Sequence, residues 1–186
     1  MILPDNGIQA NGDETDFRRS SAHPSPALPQ SDAPEKHEDE TMPSSVTQFP
    51  AAPSAEALAH FEARLGFETD CWDVHHALAT GQQDFVLLDV RSPALYESGH
   101  LPGALNLPHG KMTERRMAEF PEGSLFVVYC AGPHCNGANK AAVRLARLGL
   151  PVKELIGGVT GWLDEGFALA KGMEPGSVAE LEGAEV

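Results

Sequence analysis

The stretch Leu125-Phe-Val-Val-Tyr-Cys130-Ala-Gly-Pro-His-Cys135-Asn-Gly-Ala-Asn139 joins an apolar run, a turn rich in small residues and the start of a helix. Leu125–Tyr129 is apolar on both faces, which predicts a central strand covered on both sides. The helix expected over residues 138–148 puts Ala142, Leu145, Ala146 and Leu148 at helical spacing and closes at Gly149. Upstream, Phe85-Val-Leu-Leu-Asp-Val90 repeats the strand pattern, broken only by its carboxylate. Leu101–Pro108 reads as a short strand between prolines. Val152–Ile156 reads as a last strand, leading through Gly157-Gly158 into a short helix around Trp162.

Two helices are expected before the first long strand. One spans residues 55–65, with Leu58, Phe61 and Leu65 as its apolar stripe, Glu56 and Glu62 toward water, and Gly66 as its C-cap. The other starts after Asp70, a good N-cap, runs through Trp72 to Leu78 and stops at Gly81. Strands alternating with helices predict an α/β fold: a parallel sheet of about five strands with helices on both faces. The domain is expected over residues 53–171, with a helical lead-in at 54–80 and a core at 84–167. Beyond Phe167 the chain turns small and acidic, which predicts a frayed tail, acidic over residues 172–186.

Residues 1–52 are rich in Pro, Ser, Asp and Glu and poor in large apolar side chains, so they are expected to be disordered. Met42 stands just ahead of the globular segment and is an alternative translation start, decided by the intact mass of the natural product. The chain of 186 residues carries a formal net charge of −14, which repels a phosphate backbone and argues against nucleic-acid binding. No apolar run reaches the roughly 18 residues of a membrane span, and the N-terminus has no secretory pattern. A cytoplasmic protein with no membrane partner is expected. The oligomeric state is open.

The cysteines are Cys71, Cys130 and Cys135, an odd count that argues against a disulfide framework. Cys130 stands at the carboxyl end of a strand, where open parallel sheets bind ligands. Backbone N–H groups at the following helix N-terminus lower a thiol pKa and hold anions. Gly132, Gly137 and Ala138 let that backbone come close. The candidate nucleophile is Cys130, and Ala131, Gly132, Pro133, His134, Cys135, Asn136, Gly137 and Ala138 form the candidate substrate-binding loop. Three readings of Cys135 stand: a resolving thiol, the nucleophile itself, or a small side chain under the turn. A zinc site would need further donors from Cys71, His75 or His76, and no metal is expected. Asp89, Arg91 and His100 are expected to brace the loop after the strand through buried hydrogen bonds. Trp162 is expected as core filler, and His60 and His109 as surface residues.

Three segments in order resemble the single-domain rhodanese-like sulfurtransferase family. The first is Leu88-Asp-Val-Arg91 with Tyr96-Glu-Ser-Gly-His-Leu-Pro-Gly-Ala-Leu-Asn-Leu-Pro108. The second is Val127-Val-Tyr-Cys130 leading to Ala141-Ala142, and the third is Ile156-Gly-Gly-Val-Thr-Gly-Trp162. The resemblance implies a rhodanese-like fold whose cysteine takes up a sulfane sulfur as a persulfide and passes it to a thiol or cyanide, without cofactor. It implies as partner a small sulfur donor or a persulfide- or thiol-bearing carrier. A catalytically silent binding or regulatory module is the alternative. The loop departs from the family pattern: it is longer than in many members and has no Arg or Lys before Lys140. That weakens thiosulfate, a dianion, as donor, although His134 can supply positive charge. Cys-x5-Arg, which phosphate chemistry requires for bidentate oxygen contacts, is absent: Asn136 and Ala141 stand six residues after Cys130 and Cys135.

Overall fold

A computed structural model describes residues 42–183. The disorder expected at the N-terminus therefore falls largely outside the described residues. The chain divides into two units, Met1–Gln48 and Phe49–Val186. In the described part of the first, the Thr47 and Gln48 N–H groups close a turn on the Ser44 carbonyl at 3.0 and 2.9 Å. The second unit holds the fold.

Its elements run α1 (Ser54–Phe67), β1 (Glu68–Thr69), α2 (Cys71–Ala79), β2 (Phe85–Asp89), α3 (Pro93–Ser98) and β3 (Leu105–Asn106). A 3-10 turn (His109–Lys111) follows, then α4 (Glu114–Met117), β4 (Leu125–Tyr129), α5 (Gly137–Arg147), β5 (Val152–Leu155), α6 (Gly158–Asp164) and α7 (Val178–Glu182). The five strands form one sheet in the order β1-β5-β4-β2-β3, parallel at every pairing. Strand β4 is central because it is apolar on both faces. Successive side chains point to opposite faces. Leu88, Phe126, Val128 and Cys130 therefore pack under α5 with Met112 and Met117. Leu87, Val127, Tyr129 and Leu155 pack under α2 and α6 with Val74, Tyr96 and Trp162. The α/β fold with helices on both faces is as expected, and Trp162 is core.

Local chemistry sets the helix ends. Asp70 caps α2 by accepting the Asp73 N–H at 2.8 Å. After α5, Gly149 adopts φ +74°, and the Gly149 and Leu150 N–H groups bond the Ala146 and Leu145 carbonyls at 3.0 and 3.1 Å. That pair of bonds is a Schellman stop, which a left-handed glycine makes possible. The buried stripe of α5 is Ala138, Ala141 and Leu145, not the expected Ala146 and Leu148, because the helix meets the sheet one position earlier.

Two further expectations fail. Helix α1 runs past Gly66 to Phe67, and none of its residues is buried. Phe61 and Leu65 are 58% and 72% exposed, so helical spacing alone did not tell where the stripe points. The segment after Phe167 does not fray. Ala170 exchanges backbone hydrogen bonds with His100, both at 2.9 Å, and the Gly103 N–H reaches the Pro175 carbonyl at 2.8 Å. Helix α7 then buries Val178. Otherwise orphaned backbone groups of the α3–β3 connection thus gain partners and hold the strap in place.

Candidate active site

Strand β4 delivers Cys130 to the carboxyl end of the sheet, where it is 7% exposed. The chain then curls through residues 131–136, with the Cys135 N–H donating to the Gly132 carbonyl at 2.9 Å, and enters α5. The first intrahelical donor of α5 is the Lys140 N–H, to the Asn136 carbonyl at 3.1 Å. The Gly137, Ala138 and Asn139 N–H groups therefore have no acceptor within the helix. A β-carbon at Gly137 would lie 2.8 Å from the Cys130 Sγ, so only glycine lets the backbone pass so close to the sulfur.

A cavity of about 760 Å³ opens here. Cys130, Ala131, Gly132, Pro133, His134, Cys135, Asn136 and Ala138 line one side. The other wall, Glu154–Gly158, comes from β5 and the turn after it, and was not identified from sequence. The sequence shows Gly157-Gly158 following a strand, but the pairing of that strand with β4, which makes the two strand ends share one crevice, comes from the structure. Gly158 has φ +57°, and a β-carbon there would collide with the Cys130 carbonyl. The Val159 and Thr160 N–H groups bind the Cys130 and Ala131 carbonyls at 3.2 and 2.9 Å, tying the start of the loop to α6.

Among the described residues lining this cavity none is Lys or Arg; its formally charged member is Glu154. Burial and then the charge of Glu68 raise the Glu154 pKa, against a hydrogen bond from the Asn139 side chain. Glu68 and Glu154 are register partners on β1 and β5, so like charges sit side by side.

Cys130 and Cys135 are joined by a disulfide, with their Cα atoms 6.2 Å apart. The odd cysteine count thus conceals one short-range bridge inside the loop, and Cys71 is the thiol left over. Cys71 is buried under α6, its Sγ 3.6 Å from the Ile156 and Gly158 carbonyls. Burial, with Asp70 next, pushes its thiol up to about 11. It is an inert packing residue.

Asp89, Arg91 and His100 lie outside the cavity lining. Asp89 is fully buried. The Arg91 Nε lies 3.0 Å from both of its carboxylate oxygens and Nη2 lies 2.5 Å from one. Nη2 also donates to the Gly99 carbonyl at 2.7 Å, closing the loop around α3. Asn106 Nδ2 donates to the Asp89 and Arg91 carbonyls at 3.1 and 3.0 Å. The pair meets the site through Tyr129, whose carbonyl accepts the Val90 N–H at 3.1 Å one residue before Cys130. Burial, then Asp89, drives the Tyr129 phenol well above its ordinary pKa. Its oxygen accepts the Leu101 N–H at 3.1 Å. His100 was expected to brace the loop after the strand together with Asp89 and Arg91. Its Nδ1 and Nε2 instead lie 2.9 and 3.1 Å from the Tyr96 and Glu174 carbonyls, so it anchors the C-terminal strap.

The family model for the rhodanese-like domain matches residues 73–165. The chain belongs to the rhodanese-like family. This rhodanese-like domain is 37% identical over 94 residues to the HTH-type transcriptional regulator Rv0324 of Mycobacterium tuberculosis, covering 50% of this chain and 41% of that one. It is 33% identical over 90 residues to a sulfurtransferase of Allochromatium vinosum, covering 47% and 79%. The crystal structure of the BH2092 protein from Bacillus halodurans superposes with a TM-score of 0.62 at 35% identity, covering 65% of this chain and 88% of that one. The rhodanese-like domain thus spans less than half of the regulator it resembles. Among its described residues no helix is long and apolar enough to cross a membrane.

Proposed function

We propose that this rhodanese-like domain is a sulfurtransferase in which Cys130 accepts a sulfane sulfur as a persulfide and hands it to a thiol or cyanide. The observation that carries this reading is the placement of Cys130 at the carboxyl end of β4, facing a cavity and within reach of the α5 N-terminus. Backbone N–H groups there favour a thiolate and an anionic persulfide over their protonated forms. The likeness to a sulfurtransferase supports the same reaction. Asp89 and Arg91 hold the β2–α3 connection beside the site, and His100 secures the strap behind it.

The cavity also selects the donor. A lining with Glu154 and no Lys or Arg disfavours a dianion such as thiosulfate, and suits the persulfide of a small thiol or of a carrier protein. Cytoplasm is the inferred setting, where such thiols abound. One observation favours a silent module instead: while Cys130 is bridged to Cys135 it has no free thiolate. Sulfur-transfer assays on the reduced chain, with thiosulfate and a thiol persulfide as donors, test both readings. The enzyme reading expects turnover with the persulfide, weaker turnover with thiosulfate, and loss of both in Cys130→Ser. No turnover with either donor would establish the silent module.

A further inference from the structure

The bridge that blocks Cys130 also shows how Cys135 can act on it. A Cα–Cα separation of 6.2 Å lies in the ordinary range for a disulfide, so the folded loop brings both sulfurs together without rearrangement of the sheet or of α5. Both cysteines open to the same cavity, and Cys71 lies elsewhere, under α6. The position where a side chain at residue 137 would begin is 2.8 Å from the Cys130 Sγ and 3.4 Å from the Cys135 Sγ. Glycine at 137 thus lets the backbone at the start of α5 lie against both sulfurs, which a side chain there would push apart. Among the described residues, the cavity lining offers no Lys or Arg to retain a persulfide anion.

We propose that Cys135 resolves the Cys130 persulfide, making the domain a persulfide reductase that releases hydrogen sulfide at the expense of a dithiol. The proposal rests on Cys130 being the sulfur-accepting nucleophile. In the first step the Cys130 thiolate attacks the outer sulfur of a thiol persulfide; the S–S bond of the donor breaks and the thiolate leaves with the electron pair. In the second, the Cys135 thiolate attacks the Cys130 Sγ. The Sγ–Sγ bond forms, the bond to the outer sulfur breaks, and that sulfur departs as HS−, reduced from sulfane to sulfide while the two cysteines are oxidised to the disulfide. In the third, an external dithiol, either a small molecule or a redox carrier protein, reopens the bridge by two thiol–disulfide exchanges and is itself oxidised. The balance is one persulfide and one dithiol consumed for one thiol, one disulfide and one hydrogen sulfide. Holding both thiols in one loop makes the second step intramolecular, which favours it over attack by a dilute outside thiol.

The test uses the full chain, reduced with a dithiol, freed of it without oxygen, and given one equivalent of glutathione persulfide. Released sulfide and the intact mass of the alkylation-quenched protein are then followed together. The wild type is expected to release about one sulfide per chain and to end two hydrogens lighter than its dithiol form, resistant to alkylation at both loop cysteines. Cys135→Ser and Cys135→Ala are expected to gain the mass of one sulfur and to release sulfide at least about tenfold more slowly. A thermal melt close to the wild type's shows that each variant is folded. Wild-type protein that keeps the extra sulfur, or Cys135 variants that release sulfide as fast as the wild type, would overturn the resolving role while leaving sulfur transfer by Cys130 intact. If Cys130→Ser still acquires the sulfur, or if no protein acquires it, the sulfurtransferase reading fails and the resolving role falls with it.

Discussion

Arg91→Ala strips the buried Asp89 of its partner, and the structure sets the size of the loss. The substitution removes the Nε contacts to both carboxylate oxygens, the Nη2 contact to one of them, and the Nη2 bond to the Gly99 carbonyl. Asp89, with no solvent exposure, keeps the Arg91 backbone N–H at 2.9 Å. Water reaches the pair only at its edge: the Arg91 side chain is 8% exposed. A buried charge left uncompensated costs about 3–5 kcal/mol, far above the roughly 0–1 kcal/mol of an exposed pair. Urea unfolding followed by tryptophan fluorescence measures the loss, since Trp162 is buried in the folded domain. With a slope of about 1–3 kcal/mol per molar, the midpoint should fall by more than about 1 M at unchanged slope. Adding Asp89→Asn removes the stranded charge, so the double variant should be more stable than Arg91→Ala alone. A loss below about 1 kcal/mol, or a double variant no better than the single one, would refute the claim that this pair acts as a buried, mutually dependent brace.

Further outcomes follow from neighbouring residues. Gly158→Ala forces a β-carbon toward the Cys130 carbonyl at φ +57°; it should cost more than about 1 kcal/mol from the left-handed backbone alone and slow sulfur transfer, and wild-type behaviour in both assays would count against the tight fit. Glu154 binds its proton more tightly in the folded chain, so stability falls as pH rises from the ordinary carboxylate value through the raised one. Glu154→Gln should therefore raise the urea midpoint at neutral pH, with the advantage vanishing in acid; an advantage independent of pH would point to packing instead. Cys71, buried and with its thiol near 11, should resist iodoacetamide in the native protein at neutral pH and react on unfolding, as peptide mapping of the labelled chain would show.

Much of this protein is legible from its sequence, for a local reason. Apolar runs at Leu125–Tyr129 and Phe85–Asp89, helical spacing in α5, the Asp70 cap and the Gly149 stop each express a backbone preference or a period, and those need only neighbours along the chain. From them come the parallel sheet and the position of Cys130 at its ligand-binding end. Only the tertiary structure decided the rest. The stripe Leu58, Phe61 and Leu65 has a helical period in either environment, and the packing of α1 left it in solvent. The small, acidic segment after Phe167 looked unable to hold itself until the α3–β3 connection offered backbone partners to Ala170, Pro175 and Gly176. The wall Glu154–Gly158 faces Cys130 because β5 pairs with β4, a matter of strand order that spacing does not encode. Cys130 and Cys135 had three compatible readings in the sequence, and the curl of the loop over Gly137 brought the two sulfurs together. Local pattern specifies what an element is; which elements meet, and therefore what surrounds the sulfur, depends on contacts among residues far apart in the chain.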